Sequence, residues 1–230
     1  MKNLVLSLTF LSSLLHAQEY VLSGGKDIAI HYIASNVLQK AYSRAGLKMK
    51  PIYIAPEESL IKANKGETDG DLARINTIRN LYPNLRQVPV SIVSIGATAF
   101  SKDLSLKINN WEDLRGHKFA IVKGVKFVEA ATQTMQRDIL HNYQEAFEHL
   151  QNDKTDILVL STIAGLNFIF NHHYDTIKPI SPTLQSLKLY HYVHKKNAHL
   201  IPVLTPVLQA MEKSGELQYL NNSYLRSITN

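Results

Sequence analysis

Ten histidines and no cysteine set the first limits on the chemistry open to this 230-residue chain. His172 and His173 stand beside Asp175, and His191 stands three residues before His194, so both groups invite a metal reading. A strand turns residues three apart to opposite faces, which makes His191 and His194 poor co-ligands, and no two histidines have the i, i+4 spacing of a helical metal site. With no thiol to assist them, the histidines read as surface residues, and no metal or other cofactor is expected. Ser161 falls where a strand meets a helix, the place of a hydrolase nucleophile. Leu160 and Thr162 flank it, however, and no G-x-S-x-G occurs. GGKD at residues 24–27 has neither the spacing nor the Gly-Lys-Ser/Thr ending of a phosphate loop, and no dinucleotide fingerprint is present. None of these residues carries the pattern of a metal centre, a hydrolase nucleophile or a nucleotide loop.

Alternating strands and helices must position whatever site there is. Tyr20 to Ser23 reads as a strand ended by Gly24 and Gly25, and Asp27 reads as the cap of a helix over residues 28–44. Ile30, Ile33, Val37, Leu38, Ala41 and Tyr42 recur at steps of three and four, and Gly46 stops the pattern. Residues 50–54 supply the next strand and 56–64 the next helix. A helical segment over 76–82 ends at Pro83, and 88–100 is extended. A second set follows, with a short helix at WEDLRG, a strand at 118–122, helices at 125–137 and 145–151, and a buried strand at 156–160. A helix at 161–170, a strand at 187–193 and a last long helix at 200–214 complete it. Trp111 and the pair Phe168 and Phe170 read as packing residues. Such alternation implies α/β architecture, with parallel sheets covered by helices on both faces. No Gly/Ser linker or repeat occurs, so a boundary between domains must be a pair of strands crossing between lobes, for which residues 97–102 and 190–195 are the candidates.

The first seventeen residues carry Lys2, a mostly apolar run from Leu4 to Leu15, and Ala17 at a cleavage position before Gln18. The run is shorter than the roughly 20 residues of a membrane span and reads as a cleavable secretory signal. With no cysteine for a lipid anchor, a free periplasmic protein is expected. The formal charge of +6 is dispersed, with no basic stripe on one helix, so nucleic acid is not an expected partner and a mild attraction for anionic solutes is.

Four segments together resemble the periplasmic solute-binding proteins of family 3, which include the polar amino-acid receptors of ABC transporters. They are GETDG at 66–70; ATAFSKDLSLKINNWEDLRGHKFAIVKG from Ala97 to Gly124; Thr155 and Asp156 before ILVL; and LYHYVHKKN followed by a helix ending AMEKSGELQYL. Their order and spacing carry the likeness over nearly all of the chain after residue 17. The resemblance implies a type 2 periplasmic binding fold, with lobe one at 18–97 plus 195–230 and lobe two with the crossover strands at 98–194. It further implies a monomer that closes around a small-molecule ligand by hinge motion and hands it to a membrane permease or presents it to a sensor protein.

The resemblance also assigns a site. Amino-acid-binding members clamp the ligand carboxylate with an arginine after the G-x-x-D strand, because a planar guanidinium gives two parallel charge-assisted hydrogen bonds. Arg79 holds that position, Arg74 lies nearer the strand end, and Asn76 lies between them. On the second lobe, Gly124 to Lys126 matches a loop whose amides hold ligand oxygens at a helix N-terminus, with Lys126 adding a charge. Ser161, with Thr162 beside it, stands where amino-acid receptors place an aspartate for the ligand ammonium. A buried ammonium without a counter-charge costs several kcal/mol, so an anionic or neutral polar solute fits better unless Asp27, Asp71 or another acid substitutes.

Overall fold

The computed structural model describes residues 18–26 and 28–227, so the expected signal segment 1–17 and the expected cap Asp27 lie outside the described residues. β1 (Glu19–Gly25), α1 (Ala29–Arg44), β2 (Lys48–Ile54), α2 (Pro56–Lys65) and β3 (Gly70–Arg74) form the first α/β set. The apolar stripe expected of α1 is its buried face: Ile30, Ile33, Val37, Leu38, Ala41 and Tyr42 are all in the core. GETDG has a local cause. Gly66 closes α2 at φ +77°, a left-handed position that favours glycine. Asp69 accepts from the Val21 amide at 2.9 Å and from Asn197 Nδ2 at 2.9 Å, tying β1 to the segment after the last strand. Gly70 packs so closely on the strand holding Tyr192 that an added Cβ would lie 2.2 Å from the Tyr192 carbonyl oxygen.

A 3-10 turn, Asn76–Asn80, leads into the long β4 (Leu85–Ser101). Beyond the 3-10 turn Trp111–Leu114 come β5 (Phe119–Val122), α3 (Lys126–Ala131), β6 (Asp138–Leu140), α4 (Tyr143–Gln151), β7 (Ile157–Ser161) and α5 (Thr162–His172). The short β8 (Lys178–Pro179) precedes β9 (Gln185–His194), a 3-10 segment, α6 (Ile201–Lys213) and α7 (Glu216–Ser227). Two helices differ from the sequence expectation. The helix expected over 125–137 ends at Ala131, where the Thr132 hydroxyl bonds back to the Val128 carbonyl at 2.8 Å and the Arg137 guanidinium takes the Thr132 and Met135 carbonyls. Chain freed by that stop supplies β6 to the sheet edge. At the other end, Gly215 at φ +77° breaks the last helical stretch into α6 and α7.

The strands join in the order β2-β1-β3-β9-β4-β7-β5-β6, with β8 on β4. β1 is parallel to β2 and β3, and β5 is parallel to β6 and β7, as alternating elements require. The centre holds the two crossing strands: β4 and β9 run antiparallel to each other from Leu85↔His194 to Ala97↔Gln185. They do so because the chain leaves the first set on β4 and returns on β9. Val88, Val90, Ile92 and Val93 of β4, with Leu189 and Val193 of β9, pack into a core with α1 and α6, whereas Ala97 and Ala99 pack with β5 and β7. The passage between cores therefore falls between Val93 and Ala97 on the outward strand. On the return it falls before Leu189, earlier than the expected 190–195. β7 is buried on both faces, Ile157 and Val159 in one cluster and Leu158 and Leu160 in another, which explains its unbroken apolar run.

Candidate functional site

A cleft of about 740 Å³ opens where the carboxyl ends of β3, β5 and β7 and the β1–α1 connection face one another across β4 and β9. Strand ends of open α/β sheets are the usual ligand positions, because helix N-termini and loops converge there. Ile28, His31, Arg74, Ile75 and Ile78 line the cleft from the first set of elements. Gly124 to Phe127, Tyr143, Ser161 and one stripe of α5 line it from the second, and Ile95, Leu187 and Leu189 from the crossing strands.

Arg74 lines this cleft, but its fork is already engaged. Nε donates to Asp71 Oδ1 at 2.9 Å and Nη2 to Asp71 Oδ2 at 3.0 Å. Ser59 Oγ donates to the same carboxylate at 2.6 Å, and Asp71 is fully buried. Arg74, one of the two arginines expected to contact a ligand, is thus half of an internal ion pair, and Asp71, weighed as a partner for a ligand ammonium, is its other half. Asn76 is exposed in the 3-10 turn and does not line the cleft. Arg79 belongs to the same turn, and its side chain lies outside the described residues.

The facing loop shows the same pattern. The Gly124 amide donates to Glu129 Oε1 at 2.6 Å, and Lys126 Nζ donates to Glu129 Oε2 at 2.8 Å. The Lys126 and Gly124 donors hold the Glu129 carboxyl below its usual range. The seat expected to hold ligand oxygens therefore holds the chain's own carboxylate. Gly124 sits at φ +94°, a left-handed conformation that suits glycine. Ser161 lines the cleft, whereas Thr162 points away from it, its hydroxyl 2.7 Å from that of Thr98 on β4.

Sequence reasoning missed His31, Asn167 and Asn171, all of which line the cleft. His31 sits one helical turn from the GGKD loop, inside the apolar stripe of α1 that masked it. Its Nδ1 accepts from the Gly25 amide at 2.6 Å, which fixes the proton on Nε2, 3.2 Å from the Ala73 carbonyl. Burial, and then the Arg74 charge, hold its pKa below the usual histidine value. Both ring nitrogens are committed to backbone, so this imidazole has no lone pair left for a general base. His191 and His194, expected at the surface, are buried instead. His191 Nδ1 faces the Asp71 carbonyl at 2.9 Å and Nε2 accepts from Tyr42 Oη at 2.9 Å, joining β3, β9 and α1. Burial pushes its pKa down to about 4. Phe168 stacks on Phe147 with centroids 4.7 Å apart, while Phe170 is exposed.

No protein-family model matches this chain, and no curated protein matches it by sequence. Solved structures do. Substrate binding domain 2 of Lactococcus lactis GlnP in its open conformation superposes with a TM-score of 0.70 at 15% identity, covering 90% of this chain and 94% of that one. A histidine kinase sensor domain with similarity to periplasmic binding proteins superposes at 0.65 and 15% identity over 90% and 96%. The B. pertussis BvgS periplasmic domain does so at 0.63 and 18% identity over 90% of this chain and 42% of that one. With its two α/β sets, its antiparallel crossing pair and the cleft between them, this chain has the two-lobed fold of the type 2 periplasmic binding proteins.

Proposed function

We propose that this chain is an exported solute-binding protein of the family 3 type, which captures a small solute between its lobes in the periplasm and delivers it to an ABC-type permease. Lobe one comprises residues 18–93 and 189–227, and lobe two residues 97–185, with the crossing strands passing between them. The observation that carries this reading is the cleft itself, walled by two packed cores that the crossing strands β4 and β9 join. Two such bodies on a pair of strands support hinge closure, which sequesters a ligand without chemistry. The commitment of both His31 nitrogens to backbone supports binding rather than catalysis.

A second reading, a sensory subunit that presents its bound form to a signalling protein, is favoured by the likeness to a histidine kinase sensor domain. Residues 18–230, screened by thermal shift against amino acids, dicarboxylates, sugars, organic phosphates and uncharged aromatic amides, test the capture reading. A compound at 100 times its Kd adds about 2.7 kcal/mol of stability. At least one compound is expected to do so, and none doing so would contradict capture. Affinity recovery from membranes in that compound's presence separates the roles: a permease among the retained proteins supports delivery, a sensor protein the alternative.

A further inference from the structure

We infer that the cleft takes an uncharged solute with a sizeable apolar body and a small hydrogen-bonding head, rather than a carboxylate, a phosphate or a zwitterionic amino acid. This rests on the capture reading above and names the chemical class captured. Each described charged group that faced the cleft in the sequence expectation is neutralised by the chain itself. Arg74 is forked onto Asp71, and the Gly124 amide and Lys126 both hold Glu129. An incoming anion would have to displace one of these carboxylates or sit beside it, and like charges at close range disfavour that. An incoming ammonium meets the converse obstacle: Asp71 and Glu129 are already paired, and Ser161 brings no charge.

Among the described residues, what remains accessible is mainly apolar wall with neutral donors and acceptors. Ile75 and Ile78 from lobe one, Ile163 from lobe two, and Ile95, Leu187 and Leu189 from the crossing strands surround the cleft. Burying apolar solute surface against such walls contributes about 25 cal/mol per Å². Among the described residues, the side chains of Ser161 and Asn167 make no hydrogen bond within the chain, so a hydroxyl and an amide stand ready for a neutral polar head. Asn167 precedes Phe168 on the lining stripe of α5, which places a neutral amide next to an aromatic ring. A volume of about 740 Å³ accommodates a body larger than one amino-acid side chain.

Two fluorescent probes that share one aromatic skeleton isolate the charge. N-phenyl-1-naphthylamine is uncharged, and 8-anilinonaphthalene-1-sulfonate adds a sulfonate to it. Residues 18–230 are expected to bind the uncharged probe at one site at least tenfold more tightly than the sulfonate. Ala164→Trp or Asn167→Trp, either of which fills the cleft, is expected to abolish that binding while the circular dichroism spectrum is kept. Glu129→Gln removes the carboxylate charge that neutralises Lys126, and is expected to narrow the preference at least tenfold. Equal or tighter cleft binding of the sulfonate, or no change of preference in Glu129→Gln, overturns the inference. Tighter stabilisation by a charged amino acid or dicarboxylate than by every uncharged compound also overturns it, yet leaves capture standing. Failure of every compound, both probes included, removes the capture reading and this inference together.

Discussion

Replacing Arg74 by alanine separates a ligand clamp from a structural ion pair. Asp71 is fully buried, and its carboxylate accepts from Arg74 Nε at 2.9 Å, Arg74 Nη2 at 3.0 Å and Ser59 Oγ at 2.6 Å. Arg74→Ala deletes the first two and leaves a buried charge held by one hydroxyl. Breaking a buried pair from one side costs about 3–5 kcal/mol. In a chain of this size 1 kcal/mol shifts Tm by about 2–4 °C, so a fall of about 6–20 °C is expected by calorimetry. Urea unfolding followed by circular dichroism gives the same difference independently of temperature. The double variant Asp71→Asn/Arg74→Met, which removes both charges, is expected to recover most of the loss. A free clamp behaves otherwise: Arg74→Ala would lie within about 0.5 kcal/mol of the parent, as substitutions away from structural features do. That result, or a double variant no more stable than Arg74→Ala, would refute the ion-pair assignment.

Acid sensitivity follows from His191. Its folded pKa, about 4, lies below the ordinary 6.5, so between those values the unfolded chain binds the proton and the folded chain does not. The stability it contributes is complete above pH 6.5 and is lost as pH falls toward 4, about 3 kcal/mol in all, and His31 acts in the same direction. Urea midpoints measured from pH 7 to pH 4 should therefore fall, and His191→Gln should flatten the slope; an unchanged slope in that variant would refute the assignment. Gly70→Ala should cost about 3 kcal/mol or more, because the added methyl would meet the Tyr192 carbonyl oxygen at 2.2 Å and strand β9 must shift to admit it. Yield of folded protein and the urea midpoint both read this out, and a midpoint equal to the parent's would show that the β3–β9 approach is looser than described.

The fold was legible in the sequence where periodicity met a single buried face. α1 shows this, since its stripe of three- and four-residue steps is the buried stripe. Period-two reasoning fell short in the centre of the sheet. Residues three apart on β9 do turn to different faces, but both are covered: His191 meets Tyr42 of α1, and the His194 ring lies against Gly66 at the end of α2. The Arg74–Asp71 pair was hidden for a related reason. In a regular strand residues three apart face opposite ways, whereas the register of β3 on β9 shifts between Asp71 and Arg74, and that irregularity lets the two side chains meet. The resemblance led to the cleft, with Arg74, Gly124, Lys126 and Ser161 on its walls. It did not lead to the charge state, because Glu129 and Asp71, the residues that neutralise those walls, belong to no motif. The early stop of α3 was equally hidden, since it depends on the Thr132 hydroxyl and the Arg137 guanidinium reaching carbonyls that a propensity count ignores.

Lobe closure on a bound solute is the central claim, and the absence of cysteine from the natural chain makes its measurement clean. Cysteines placed at Glu57 on α2 and Lys123 at the end of β5, both exposed, accept one spin label on each lobe. The label-to-label distance distribution is then measured by pulsed electron resonance without and with the compound that gives the largest thermal shift. Capture predicts one population at a shorter distance when the compound saturates the protein, and loss of that shortening in Ala164→Trp. A distribution unchanged at saturation would contradict the account.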